Sequence, residues 1–183
     1  ERKTSIYAAC FNSDYKANGS AYRFFFTDTP GYADFFGQVV AAAHASDAAL
    51  IVIDAGSGIQ IGSTRAWRLC ERAGKPRAIV VTGLDRENAD FEKVVQEIQS
   101  NWGAKCVPVT LPAADGSVAD ILEADVPDDL KDRTEEIKGG LVELAAETDD
   151  SLIEKFLGGE ELSASEIASG LRRAVATGGL IPI

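Results

Sequence analysis

The sequence predicts a three-layer α/β sandwich, in which helices cover both faces of a mostly parallel sheet. Apolar stretches of strand length alternate along the chain with segments of helical apolar periodicity. The run at 48–54 is continuously apolar up to its final aspartate, as is typical of parallel strands buried on both faces. Such an alternation of strand and helix implies right-handed crossovers and two helical layers.

The composition is that of an ordinary globular protein with an acidic surface. The chain has 183 residues, of which 45% are hydrophobic and 26% charged, so it is long enough to bury a substantial core. It contains no apolar run of about 18 residues and no signal-peptide pattern, and we expect no membrane contact. The net charge of −11 argues against broad or sequence-specific contact with nucleic acid, and it fits a protein partner or simple solubility.

The cysteines bear on the cellular compartment. Cys10, Cys70 and Cys106 are odd in number and widely spaced. This arrangement favours reduced core thiols over disulfides or a zinc site, and we therefore expect a cytoplasmic protein.

The first part of the chain predicts the main strands and helices. Two strands at about 5–12 and 21–28 should pair antiparallel at a sheet edge, because the polar break between them ends in the turn signal Asn18-Gly19. The aromatic run at 22–26 is predicted to be buried. The elements predicted next are a helix after Tyr32, a strand at 48–54, a helix at 64–73, a strand at 78–82, a helix with apolar residues from 91 to 98, and a short strand at 104–110.

The pattern changes after residue 110, where a smaller insert is predicted. A short strand at 118–122 precedes a helix that should begin at Pro127 and contain Gly139-Gly140. A return helix follows, opened by the capping box Ser163-Ala164-Ser165-Glu166 and ended by Gly178-Gly179. We therefore divide the chain into a core at 1–110, an insert at 111–160, and a return helix with the last strand at 161–183.

The candidate site is the segment Asp28-Thr29-Pro30-Gly31, between a predicted strand and a predicted helix. An aspartate at the carboxyl end of a strand stands where open α/β sheets bind ligands, and its carboxylate can hold Mg²⁺ through water. The glycine lets a backbone N–H approach a phosphate closely. The alternative is an ordinary strand-to-helix turn. The strand at 78–82 should deliver Gly83-Leu84-Asp85 to the same edge of the sheet.

Four segments, in this order and spacing, resemble the GTP-binding domain of bacterial elongation factor G. They are Asp28-Thr29-Pro30-Gly31, residues 54–60, residues 82–91, and residues 150–162, the last of which resembles the return from that family's G′ insert. The resemblance spans nearly the whole chain and implies a P-loop-NTPase-type sandwich with a small α+β insert. No G-x-x-x-x-G-K-[ST] motif occurs in the sequence, so the sandwich should be incomplete, without its first strand and P-loop. We therefore expect a fragment of a longer protein.

The resemblance implies GTP or GDP as the ligand, with guanine held by the segment Thr82-Gly83-Leu84-Asp85. Asp85 matches the family's aspartate, whose carboxylate accepts two hydrogen bonds from guanine. Thr82 and Gly83 stand where the family has asparagine and lysine. A threonine replaces the amide only in part, and a glycine cannot stack an alkyl chain on the base, so GTP affinity should be reduced.

The resemblance also implies Mg²⁺ and a γ-phosphate sensor. Asp28, Thr29, Pro30 and Gly31 match that sensor, with Asp28 holding the metal through water. Ser5, or Thr4 one step out of register, matches the hydroxyl that ligates the metal in the family's first switch.

Tyr32 is the candidate catalytic residue that the resemblance implies. It stands where elongation factor G has the histidine that positions the attacking water. A phenol, with a pKa of about 10, can donate a hydrogen bond but cannot act as an imidazole does. Hydrolysis is therefore expected to be slow, differently organised or absent.

Three functions are compatible with these residues. The first is an elongation-factor-G-like GTPase that acts on the ribosome and meets the ribosomal stalk protein through the insert. The second is a pseudo-GTPase, such as a ribosomal protection or regulatory factor that binds a protein partner with weak turnover or none. The third is an unrelated doubly wound domain that binds another phosphate ligand.

Overall fold

The computed structural model describes residues 5–17, 19–122 and 126–183, and Thr4 therefore lies outside the described residues. In chain order the strands and helices are β1 (Ala9–Ala17), β2 (Ser20–Asp28), α1 (Phe36–Ala45), β3 (Ala49–Asp54), α2 (Ile61–Arg72), β4 (Arg77–Thr82), α3 (Phe91–Trp102), β5 (Cys106–Val107), β6 (Thr110–Pro112), β7 (Val118–Asp120), α4 (Lys131–Ala146), α5 (Asp150–Leu157), α6 (Ala164–Thr177) and β8 (Ile181–Pro182). The alternation of strand and helix that the sequence predicts is confirmed over most of the chain.

The strands pair in two ways. Strands β3 and β4 run parallel, as do β5 and β8, and these four carry the α/β part of the fold. Strands β1 and β2 form an antiparallel hairpin in which Ala9 lies opposite Asp28 and Ala17 opposite Ser20, while β6 and β7 form a short antiparallel pair. The predicted antiparallel pairing at the start of the chain is therefore confirmed, with its first strand displaced toward the turn. Its predicted place at the edge of a larger sheet is not, because β1 and β2 form a two-stranded sheet of their own among the described residues.

The first hydrophobic core lies between the parallel strands and the helices α2 and α3. Its centre contains Ile53 and Ile98, and two tryptophans stack within it, Trp67 on Trp102, with ring centroids 4.4 Å apart. The buried guanidinium of Arg77 lies 4.1 Å from the centroid of the Trp67 ring. This core fixes α2 and α3 on the sheet, and with them the loops at the carboxyl ends of β3 and β4.

The second core joins residues 111–160, the segment predicted to be an insert, to the predicted return helix α6. It contains Leu111 and Ile121 from the insert, Leu141 from α4, and Leu171 from α6. The helices α4 and α6 cross closely, because a Cβ built on Gly170 would lie 2.5 Å from the carbonyl oxygen of Ala145. The helical residues of the insert and of the return therefore share one core.

The prediction that the strand at 48–54 is buried on both faces is wrong. Ile51 and Ile53 are buried, but Leu50 and Val52 between them are 58% and 60% exposed. Side chains alternate between the two faces of a strand, and among the described residues only one face of β3 is packed by helices. The aromatic run of β2 is likewise largely exposed, which contradicts its predicted burial; Tyr22, Phe24 and Phe25 are all exposed there.

Other differences are local. The strand predicted at 104–110 is divided into β5 and β6 around Pro108, since proline has no N–H to donate to a ladder. A short 3-10 turn, Asp128–Leu130, follows Pro127, and the helix itself begins only at Lys131. Cys70 and Cys106 are buried as expected, whereas Cys10 is exposed on the hairpin.

Two predicted helix ends are confirmed. Ser163 and Glu166 form the capping box that opens α6. Gly178 ends that helix in the left-handed conformation, with φ of 74°.

Candidate functional site

The carboxyl ends of β3 and β4 lie side by side and form the edge on which the candidate site is built. Asp54, the last residue of β3, is paired with Thr82, the last residue of β4. The N–H of Ala55 donates to the carbonyl oxygen of Thr82 at 2.8 Å, and the Thr82 hydroxyl donates to the carbonyl oxygen of Ile53 at 3.4 Å. Parallel strands end at the same edge, so the loops after β3 and β4 are neighbours.

The loop after β4 turns sharply and presents two charged side chains. Gly83 has φ of 73°, a left-handed conformation that favours glycine, and the N–H of Arg86 donates to its carbonyl oxygen at 3.3 Å. Leu84 packs against the first core and anchors the loop. Asp85 and Arg86 are exposed at the tip.

An ion pair links this loop to β3. The guanidinium of Arg86 donates from Nη1 to Oδ2 of Asp54 at 2.6 Å, and the side chains of Arg86 and Asp54 are 63% and 30% exposed. The other carboxylate oxygen of Asp54, Oδ1, is inaccessible and accepts no hydrogen bond from the described residues.

The sequence reasoning missed this pair. Both residues stand within the segments that carry the family resemblance, and Arg86 directly follows Asp85. Their contact joins positions 32 residues apart, and only the pairing of β3 with β4 reveals it.

The loop after β3 is held by α3. Gly58 has φ of 63°, and the N–H of Ile59 donates to Oε1 of Glu97 at 3.2 Å. A Cβ at Gly58 would lie 2.2 Å from Oε2 of Glu97, so the backbone approaches this carboxylate closely. The helix α2 begins immediately afterwards and is opened by a capping box between Gln60 and Ser63.

The segment Asp28-Thr29-Pro30-Gly31 follows β2 and reaches the start of α2. Pro30 is buried and Asp28 exposed, while the carbonyl oxygen of Gly31 lies 3.4 Å from a Cβ built on Gly62, in the first turn of α2. Tyr32 is 59% exposed, and its carbonyl oxygen accepts from the N–H of Phe35. The segment is therefore adjacent to the helix that follows β3.

The segment after β2 and the loop after β4 have no direct polar link: no hydrogen bond or ion pair in the described part of the chain joins residues 28–32 to residues 82–85. Ser5 is exposed near the start of the described chain. No three His, Cys, Asp or Glu side chains gather as metal ligands among residues 5–17, 19–122 and 126–183. In the same ranges, no helix is both long and apolar enough to cross a membrane.

A comparison with known protein families shows the class of domain. The sequence profile of the family described as the elongation factor Tu GTP binding domain matches residues 1–171, and the chain belongs to that family. The resemblance to a translational GTPase is therefore confirmed, and so is the P-loop-GTPase type of fold.

One curated protein and one solved structure are similar to this chain over most of its length. An elongation factor G-like protein of Mycobacterium tuberculosis, found in strains CDC 1551 / Oshkosh and ATCC 25618 / H37Rv, is 35% identical over 170 residues, which is 85% of this chain and 24% of the relative. The crystal structure of a Thermus thermophilus protein matches with a TM-score of 0.85 and 32% identity, over 98% of this chain and 29% of that chain. The chain thus spans about a quarter of the length of the curated relatives it matches.

Proposed function

We propose that the chain is the GTP-binding domain of a longer elongation-factor-G-like translation factor, in which GTP hydrolysis drives a conformational switch on the ribosome. The observation that carries the proposal is the shared edge of β3 and β4, which holds Thr82 and the loop to Asp85 beside Asp54. The membership of the chain in a GTP-binding family and its partial coverage of longer elongation factor G-like relatives support it.

In this proposal the loop after β4 recognises guanine. The carboxylate of Asp85 is exposed at the tip of the loop and is free to accept hydrogen bonds from the guanine N1–H and exocyclic amine. Two charge-assisted bonds contribute about 1.5–3 kcal/mol each, so Asp85→Ala should weaken GDP binding by about a hundredfold or more. Isothermal calorimetry on the full-length protein measures this loss, and unchanged affinity would exclude Asp85 from the site.

The phosphates and Mg²⁺ are assigned to the segment after β2. Magnesium is usually held by one or two carboxylates together with substrate phosphates and water, and a single exposed carboxylate at Asp28 fits this donor set. Asp28 would hold the ion through water, with a hydroxyl from Ser5 or Thr4, and the N–H of Gly31 would contact the γ-phosphate. The bound ion would neutralise phosphate charge. Because the chain lacks a glycine-lysine phosphate loop, we expect it to bind GTP weakly when isolated.

Tyr32 favours a second candidate function, a pseudo-GTPase that regulates or protects the ribosome. The phenol is exposed next to the phosphate segment, and it can orient a water but cannot take up its proton near pH 7. Single-turnover GTP hydrolysis by the full-length protein with ribosomes separates the two functions. A rate stimulated by ribosomes supports the GTPase, and it should rise further in Tyr32→His. Tight GTP binding without hydrolysis supports the pseudo-GTPase.

The ribosome, including its stalk protein, is the proposed partner, and the cytoplasm is the proposed compartment. The insert carries exposed acidic residues such as Asp132 and Glu135 on α4, which suit a protein partner better than RNA. Reversing both charges to lysine should weaken binding to purified stalk protein, whereas reversing Glu154 on α5 serves as the matched control. If the wild type, the double variant and the control variant all bound the stalk protein equally, this face of α4 would be excluded as the binding surface.

A further inference from the structure

We propose that Arg86 supplies the flat surface on which the guanine base stacks, a role that Gly83 cannot perform. The inference rests on the proposed function and names a further base-binding residue within that site. The side chain of Arg86 fills the space beside Gly83 into which a side chain at position 83 would project. A Cβ built on Gly83 would lie 3.3 Å from Nε and 3.4 Å from Cζ of Arg86.

The local backbone brings the two residues together. The N–H of Arg86 donates to the carbonyl oxygen of Gly83, which closes a turn over Leu84 and Asp85. The carbonyl oxygen of Arg86 accepts from the N–H of Ala89 at 3.0 Å, so the backbone of Arg86 is bonded on both sides. The guanidinium therefore lies on the side of the loop toward which a side chain at position 83 would project.

The carboxylate of Asp54 keeps the guanidinium in that place. Its Oδ2 accepts from Nη1 of Arg86 at 2.6 Å, and it lies 3.1 Å from the built Cβ of Gly83. Asp54 is itself fixed at the end of β3 by its pairing with Thr82. An arginine side chain that is held before the ligand arrives loses less conformational entropy on binding.

The chemistry of the guanidinium suits a purine. It is planar and delocalised, it is weakly hydrated compared with an ammonium, and it stacks on aromatic faces and on nucleobases. The Arg86 side chain is 63% exposed, so it is accessible to a ligand. Asp85, the neighbouring residue, would read the edge of the same base that Arg86 covers.

A purely structural ion pair is the competing explanation, and it predicts different results. An exposed Asp–Arg pair tolerates replacement of arginine by lysine, because lysine keeps the charge. A stacking surface does not, because an ammonium has no plane. A stacking side chain contacts the face of the base and not its hydrogen-bonding edge. Replacement of Arg86 should therefore leave the preference for guanine over hypoxanthine unchanged.

The test measures dissociation constants of GDP, IDP and pyrophosphate for the full-length protein and its Arg86→Ala and Arg86→Lys variants. We expect both variants to bind GDP and IDP about tenfold or more weakly, with the ratio of the two constants and the pyrophosphate constant unchanged. Arg23→Ala is the matched control, because Arg23 pairs with Asp14 at the same 2.6 Å on the hairpin and its loss should not affect GDP.

The outcomes separate this inference from the proposed function. Wild-type affinity for GDP in Arg86→Ala, or full rescue in Arg86→Lys, overturns the stacking role while leaving the function intact. A change in the GDP to IDP ratio also overturns it, since it would mean that Arg86 reads the edge of the base. A wild-type protein that binds no GDP overturns the proposed function and this inference together.

Discussion

The β1–β2 hairpin and the α4–α6 pair are both rich in apolar side chains, but only the second buries them. On the hairpin, Phe11 is 55% exposed and Phe25 is 78% exposed, whereas Leu141 on α4 is 1% exposed. The hairpin aromatics touch one another across the strands, as in the stack of Phe11 on Phe26 with centroids 5.0 Å apart. They gain the modest energy of such pairs without removal of most of their surface from water.

The difference shows that apolar sequence becomes a core only where a second layer covers it. Helices α4 and α6 pack against each other and share one core with Leu111 and Leu180 from the neighbouring segments. The hairpin has no such cover among the described residues, and an isolated two-stranded ribbon is marginally stable in water. The stability of the chain should therefore reside in the helical pair and the first core, and the substitutions below test this.

The largest effect is expected from Leu141→Ala. This side chain is almost fully buried between α4 and α6, so its loss removes apolar contacts and leaves a cavity. We expect the free energy of unfolding in urea to fall by about 2–5 kcal/mol. A loss below about 1 kcal/mol would mean that the helical pair is loosely packed.

The two glycines Gly170 and Gly140 give the next contrast. A Cβ on Gly170 would lie within 2.9 Å of two carbon atoms of Ala145, so Gly170→Ala should force α4 and α6 apart and cost about 1–3 kcal/mol. Gly140 is also helical, but apart from its own helix backbone no described atom lies within 4 Å of a Cβ built there, so Gly140→Ala should stabilise the chain by roughly 0.5–1 kcal/mol. Thermal unfolding measures both, and changes of the same sign would contradict the packing described here.

Two carboxylates, at the N-terminal ends of α5 and α6, should make the free energy of unfolding depend on pH. The Ser151 hydroxyl and N–H and the Arg173 guanidinium lower the pKa of Asp149 to about 2, and Lys155 and Ser163 lower the pKa of Glu166 to about 2. Because both values lie below the unfolded pKa of about 4, their stabilisation is complete above about pH 5 and is lost as the pH falls toward 2. The double variant Asp149→Asn, Glu166→Gln should be less stable at pH 7, and its stability should vary less between pH 5 and pH 2. Unaltered acid unfolding curves would contradict this.

The smallest effect is expected on the hairpin. Phe25 is mostly exposed already, so Phe25→Ser should change the free energy of unfolding by no more than about 0.5 kcal/mol. The measurement is the same urea titration used for Leu141→Ala. A loss comparable to that of Leu141→Ala would show that the hairpin face is covered and would remove the contrast between the two regions.

Local rules explain the elements that the sequence predicts well. The capping box of Ser163 and Glu166 and the left-handed Gly178 act over a few residues, so they can be read directly from the chain. The parallel pairing of β3 and β4 follows from their apolar runs and the helix between them. The ends of strands point to Asp28, Gly31 and Asp85, whereas Tyr32, Ser5 and Thr82 were named from the family resemblance, and all these roles stay predictions.

Burial and side-chain contacts were harder to predict. A continuous apolar run does not reveal which of its faces is covered, and so Leu50 and Val52 were expected inside. Proline at position 108 divided a strand whose composition looked uniform. The Asp54–Arg86 pair depends on the register between two strands, which periodicity alone does not specify.

By itself the sequence determined the α/β class, the order of the elements, the acidic charge and the family of GTP-binding domains, because these depend on local patterns and motifs. Only the tertiary structure decided which apolar faces are covered and which side chain fills the volume beside Gly83. Those features arise where distant segments meet, and the position of Arg86 over Gly83 is fixed by a carboxylate on another strand.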